Sequence, residues 1–301
     1  MTEPHRPDAD PAADTAAAAP AAVAALAAGP VVTFSGLDHA ALARRTRRWG
    51  WWHYVLYRHT AERPFLVTAL ITAIGNPVLY LAAMGLGLGS IGQGPVDGVS
   101  YLHFVAPGLL VSTVVTTGAN WGTWPIFGGF KWMKNYLAAQ ATPVSPGQIA
   151  GGETVAIAMR LAVQAALFWL IGLAFGAWPT ASSLWTIVWA TLAAVAMFTP
   201  LMAYSATLES EGLEFNFITR LIVMPMFLFA GTFFPLATMP AYLQWIGWLS
   251  PMWHGTQLSR MASYGMENPG WLTALHVVFL VACVVVGQVL ANRTFTRRLV
   301  T

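Results

Sequence analysis

The 301-residue sequence predicts an all-α membrane protein with six transmembrane helices. Six apolar runs are each about 20 residues or longer, the length that carries a helix across a hydrocarbon core of about 30 Å. The composition, 56% hydrophobic and 9% charged with mean hydropathy +0.59, leaves too little polar surface for a water-facing domain of this size. Basic residues also alternate: 13 of the 15 Lys and Arg fall on one side of the predicted membrane.

The elements follow in chain order. Residues 1–43 are rich in Ala and Pro and broken by Asp8, Asp10 and Asp14, which predicts a disordered cytoplasmic tail. A cleaved signal peptide is the weaker reading, because Pro20 interrupts the Ala16–Ala28 stretch and the leading segment is acidic. Residues 44–64 interleave Arg with Trp49, Trp51, Trp52, Tyr54 and Tyr57, the pattern of an amphipathic helix lying in the headgroup layer. Such a helix either anchors the chain or also touches a cytoplasmic partner and passes its motion on. The six-span domain occupies 65–292, with spans Phe65–Leu88, Phe104–Trp124, Val155–Phe175, Leu184–Leu208, Phe217–Leu236 and Trp271–Leu290. Asn76-Pro77 predicts a kink in the first span, and Gly85, Gly87, Gly89, Gly92 and Gly94 a loose exit from it. A basic cytoplasmic tail, 293–301, closes the chain.

Orientation rests on cations, which resist translocation. Arg6, Arg44, Arg45, Arg47, Arg48, Arg58 and Arg63 precede the first run; Lys131, Lys134 and Arg220 lie at inner connections, and Arg293, Arg297 and Arg298 follow the last. Both termini are therefore expected in the cytoplasm, at the cell's inner (plasma) membrane. Arg260 alone falls outside, and Arg160 within a span. The net charge of +3 reflects this topology and an anionic inner leaflet, not nucleic acid.

Several chemistries are excluded. Gly87 to Gly92 fits a dinucleotide fingerprint but trails a membrane helix and leads into Gly94-Pro95, without the strand and helix that the motif needs. Neither lysine follows a glycine, so the chain has no phosphate-binding P-loop and no ATPase site of that class. There is no Gly-x-Ser-x-Gly elbow and no His-Glu-x-x-His pair. His254 and His276 read as hydrogen-bonded helix residues rather than ligands, and Cys283 has no partner for a disulfide. No catalytic, metal or cofactor site is expected.

Two stretches are more specific. Gly128 to Glu153 is a cytoplasmic connector too long for a plain turn, in which Lys131 to Gln140 can form two to three helical turns before Pro143. After the fifth span, the external stretch from Met239 to Arg260 is apolar yet broken by Pro240 and Pro251, with Tyr242–Leu249 too short to cross. It is expected to dip into the outer leaflet, covered by protein or facing a cavity.

At these residues the chain resembles the membrane subunits of type-2 ABC transporters, most closely the nodulation-factor and daunorubicin export permeases. Ala141-Thr142-Pro143, Ile149 and Gly152-Glu153 look like the family's connector signature. Met224 to Leu236, including Pro225, Phe229, Gly231, Phe233, Phe234 and Pro235, is similar to its fifth-span signature; Pro251, His254 and Arg260 fall in its re-entrant segment. The similarity runs from about Trp52 to the end.

The resemblance implies a permease paired with a second permease subunit, a homodimer being the simpler case, and bound to two nucleotide-binding ATPase subunits. ATP and Mg would sit on those partners. An amphiphilic substrate such as a glycolipid, lipid-linked glycan or drug would be moved outward through surrounding membrane lipid. Lys131, Trp132, Lys134, Tyr136, Leu137, Thr142 and Pro143 would form the coupling segment that docks on the ATPase. Where the family usually has an acid, this chain has Lys131, Lys134 and Asn135. The partner groove is then acidic, or these lysines simply obey the charge rule.

Glu153, Arg160, Gln164 and Phe168 recur at helical spacing and give the third span a polar face. An arginine inside a span costs about 2.5–3.5 kcal/mol, so Arg160 lines the pathway, pairs with a neighbour or snorkels inward. Glu209, Glu211 and Glu214 near Arg220 read as solvated charge with a local pair, or as a contact with the ATPase. An ion-coupled secondary transporter is the alternative function, disfavoured because the spans hold no deep acid.

Overall fold

A computed structural model describes residues 39–88, 94–209 and 214–300, and the described residues form helices with no strand beyond one isolated bridge, Val96 to Val99. The predicted tail up to residue 38, Gly89 to Gly92 and Glu211 lie outside the described residues.

Helix α1 (His39–Glu62) ends in a 3-10 turn, Arg63–Phe65, and α2 (Leu66–Tyr80) departs from it at a bend of 72°. Pro64 sits in that turn, where its ring disfavours a helical Arg63. Wide π-type turns follow over Leu81–Leu88, one turn after Pro77, whose missing N–H breaks the ladder in the turn before it. Helix α3 (Tyr101–Gly122) opens on a Ser100 cap; a break at Thr123 leads into α4 (Trp124–Lys131) and then α5 (Asn135–Gln140). Helix α6 (Pro146–Ala174) starts from a full capping box, in which Ser145 accepts from the Gln148 backbone and the Gln148 side chain accepts in return from Ser145. The connector is thus shorter than its sequence suggested, since α6 already begins at Pro146.

Helix α7 (Trp185–Ser205) is the centre of the packing and touches α3, α6 and two later helices, α11 (Pro251–Tyr264) and α12 (Gly270–Val300). Small residues make this possible. A Cβ added at Gly118 would lie 2.7 Å from the Ala194 carbonyl, at Gly255 2.5 Å from the Ala193 Cβ, and at Gly287 2.7 Å from the Pro200 nitrogen. Helices in lipid gain no hydrophobic drive from one another, so such close backbone approach is what holds them. Accordingly, the Tyr101–Lys131 and Ala181–Ser205 windows are 72% and 67% buried, whereas α6 and α12 are only 28% and 22% buried.

Among the described residues, four helices are long and apolar enough to cross a membrane, or five if the bent pair of α1 and α2 counts as one span. The fifth predicted run departs most from expectation. It is not one helix from Phe217 to Leu236 but α8 (Glu214–Ile218), a π-type stretch Thr219–Val223 and α9 (Met224–Phe229), which stops before Gly231 at φ +77°. Pro225 and Gly231 supply the reason: one removes a donor, and the other takes a left-handed conformation that other residues resist. A 3-10 turn (Leu236–Thr238), α10 (Ala241–Trp248) and then α11 follow. Residues 293–300 of the predicted basic tail are helical, because α12 continues to Val300.

Candidate functional site

The predicted coupling segment is an elbow rather than a helix of two to three turns. Helix α4 ends at Lys131, Lys134 adopts the left-handed conformation at φ 51°, and only Asn135–Gln140 is helical beyond it. Lys131 Nζ donates to the Glu209 carbonyl at 3.2 Å. Trp132 is 60% exposed, although its ring stacks 6.0 Å from Trp124 and meets Phe127 edge-on at 5.3 Å. Met133 and Leu137 are also exposed, 65% and 45%, and Lys134 lies between them. Thr142 and Pro143 are exposed beyond the short helix, with the Thr142 hydroxyl donating to the Ala139 carbonyl at 2.6 Å.

Tyr136 faces the other way. It is buried against Phe130 at 4.6 Å and Phe295 at 5.2 Å, and burial holds its phenol well above the ordinary range. Arg298 stacks over Phe130 at 4.4 Å and donates to the Ala206 carbonyl at 2.9 Å, so the end of α12 is part of the elbow's support. Exposed Met133 and the buttressing Phe295 were not singled out by sequence.

The polar face of the third span finds its partners in α1. Fully buried Glu153 accepts from the Tyr54 hydroxyl and from Arg58 Nη2, both at 2.8 Å. Arg58 also pairs with Glu62 at 3.0 Å, and Glu62 pairs with Arg160. Arg160 is therefore compensated by a neighbouring helix, and its guanidinium also stacks over Trp121 at 4.3 Å. Burial, and next the Glu153 carboxylate, push the Tyr54 phenol far above its usual range, so it stays a donor. Burial alone would lower the Arg58 guanidinium; Glu153, joined by Tyr136, Tyr54 and Glu62, outweighs it and raises the group. Gln164 donates to Thr117 on α3 at 3.0 Å, while Phe168 is buried in the core and joins neither group. Gln148 further clamps α1 by donating to the carbonyls of Thr46 and Arg47 at 3.2 and 2.9 Å. Tyr54, Arg58 and Glu62 recur every four residues, the one sequence signal that could have found them.

The broken fifth run is held by Arg260. Arg260, expected on the external side in the re-entrant segment, is buried, and its Nη2 donates to the carbonyls of Gly231 and Thr232 at 2.7 and 3.3 Å. Its Nε donates to the Phe104 carbonyl at 3.4 Å, with the guanidinium 3.7 Å above the Phe104 ring. The cation thus meets the carbonyl end of α9 and a ring face. Thr232 and Ser112 share a 2.6 Å hydrogen bond, and Gly108 lets the Thr232 backbone lie against α3. Phe229 ends α9 and Pro225 lies in its first turn; Phe233 packs on Phe227 at 5.5 Å, Phe234 is exposed, and Pro235 leads into the 3-10 turn. Pro251 starts α11 behind the Ser250 cap.

His254 lies in a hydrogen-bonded chain. Its Nε2 is 3.0 Å from the Trp248 carbonyl, its Nδ1 2.7 Å from Nδ1 of His276, and His276 Nε2 3.3 Å from the Asn268 amide nitrogen. A carbonyl only accepts, so His254 carries its proton on Nε2 and accepts at Nδ1 from His276, which in turn accepts from Asn268. Two neutral rings satisfy the whole chain, and no group of three potential metal ligands occurs among the described residues.

The sequence profile of the ABC-2 type transporter matches residues 55–264, from within α1 to the end of α11. The chain belongs to the ABC-2 type transporter family. Membership makes it a membrane-embedded permease subunit of a transporter rather than an enzyme, and implies an ATPase subunit as partner. Among similar proteins, Nodulation protein J of Sinorhizobium fredii is 25% identical over 254 residues, covering 83% of this chain and 94% of the relative. Nodulation protein J of Rhizobium leguminosarum bv. viciae is 27% identical over 77% of this chain and 89% of its own length. The inner membrane transport permease YadH of Escherichia coli K12 is 25% identical over 72% and 84%. No solved structure matches the chain. All three groups described above, the elbow, the α1–α6 ion pairs and the Arg260 cluster around Gly231, have their central residues inside the family segment.

Proposed function

We propose that the chain is the transmembrane subunit of an ABC exporter, which with a second copy forms the pathway for an amphiphilic substrate: a glycolipid, lipid-linked glycan or drug. Two nucleotide-binding subunits supply ATP hydrolysis with Mg from the cytoplasm. The protein spans the plasma membrane six times, α2 and the broken α8–α9 serving as first and fifth spans, with both termini cytoplasmic. The observation that carries the reading is the elbow. Trp132, Met133 and Leu137 are exposed beside Lys134 on a firm base of Tyr136, Phe130 and Phe295, at the inner end of α3 and the start of α6. Apolar side chains beside a cation suit docking into a groove with an apolar floor and an acidic rim.

Affinity purification of the full chain from its native membranes tests this. An ATPase is expected to come down with it, and Lys134→Glu or Leu137→Asp to reduce that recovery severalfold while folding is retained. Transport by the purified chain alone, with neither nucleotide nor ATPase, would sink the proposal.

A further inference from the structure

A cavity of about 360 Å³ lies between α1, α2, α3 and α6, and it shares its charged wall with the ion pairs described above. Its lining on α6 runs from Ala156 to Leu167. At 1.5 Å per residue that is about 16 Å, from the cytoplasmic interface to near the middle of a hydrocarbon core of about 30 Å. Arg58, Glu62, Arg160 and Trp121 line the inner end; Thr117, Gln164, Thr72 and Asn76 continue the polar wall inward. Leu70, Val163 and Leu167 give it an apolar side.

The inner end is not fully committed to the protein's own ion pairs. Glu62 takes Nη1 of Arg160, a side chain that stays about a quarter exposed at the cavity. Glu153 behind the wall takes up Arg58, so of the two guanidinium groups in the lining it is Arg160 that depends on a carboxylate, Glu62, which it shares with Arg58. Guanidinium donors of this kind match phosphate oxygens. The amides and hydroxyls deeper in would hold a polar head away from lipid, where such groups are otherwise costly.

We propose that this cavity admits a phosphate-bearing amphiphile from the inner leaflet: its phosphate binds at Arg160, and its chain leaves along Leu70 and Val163 into lipid. The inference rests on the exporter reading and names the chemical class of its substrate and the place in each subunit where that substrate first binds.

The test uses the purified full chain in phosphatidylcholine nanodiscs carrying either phosphatidic acid or diacylglycerol, each with a photoreactive acyl chain, with adducts mapped by mass spectrometry. Phosphatidic acid is expected to label the cavity walls of α2 and α6 about tenfold more than diacylglycerol, as one charge-assisted contact predicts. Excess inorganic phosphate should leave the labelling unchanged; displacement by it would mean that the pocket takes a free anion, and would overturn the assignment. The paired variant Glu62→Gln with Arg160→Gln removes the ion pair without orphaning a charge and should abolish the preference. Equal labelling by both probes, or adducts spread evenly over the outward faces of α2 and α6, would overturn the proposal from the unaltered protein alone. ATPase recovery is scored on the same preparations. Recovery without cavity labelling rejects only this site, and cavity labelling without an ATPase rejects only the exporter reading.

Discussion

At the scale of single residues, Glu153 carries the greatest weight. It is a buried carboxylate that satisfies Arg58 and Tyr54 on another helix. Glu153→Ala takes the buried carboxylate from Arg58 and leaves it only the part-exposed Glu62, a loss of up to about 3–5 kcal/mol in buried pairs. Thermal unfolding in detergent should show that loss, whereas Tyr54→Phe should cost about 1 kcal/mol. A smaller penalty for Glu153→Ala than for Tyr54→Phe would show that the carboxylate is not the centre of the group. Arg160 illustrates what sequence can and cannot disclose. Its position inside an apolar run shows that a partner must exist, but Glu62 lies 98 positions away, beyond the reach of any periodicity. Arg260 is a similar case, since its acceptors are backbone carbonyls and carbonyls have no sequence signature.

At the scale of elements, local chemistry was legible where proline set it, at Pro64 and at the break of Pro251, whereas the capped start of α6 at Ser145-Pro146 lies within the stretch that reads as connector. Apolar length was a poorer guide. Composition carries the fifth run through Gly231, while backbone geometry ends the helix before it. The break at Lys134 left no mark, because neither Lys nor Asn forbids a helix. Two substitutions test these breaks. Lys134→Gly relieves a left-handed non-glycine residue and should raise stability by about 1 kcal/mol. Gly231→Ala imposes the same strain and brings a Cβ to 3.3 Å from the Trp253 ring, so its melting temperature should fall. A melting temperature unchanged in both variants would mean that neither backbone angle matters to the fold.

For the molecule as a whole, the seam of small residues around α7 decides how closely α3, α11 and α12 can approach. Gly287→Val forces a side chain against the backbone of Pro200 and should cost about 1–3 kcal/mol, read as a lower melting temperature and less recovered protein. Substitution with valine at Gly147, where an added Cβ meets nothing within 4 Å, is the matched control for crowding. The clamp on α6 has a mechanical corollary. Gln148 and Glu153 fasten α1 to the first turns of α6, and α5 packs against the same helix. A push on Leu137 therefore arrives at the short arm of a crank whose long arm is the rest of α6, in a helix roughly 40 Å long. With α1 fastened to that short arm, any displacement of it is shared by α1 and the whole of α6.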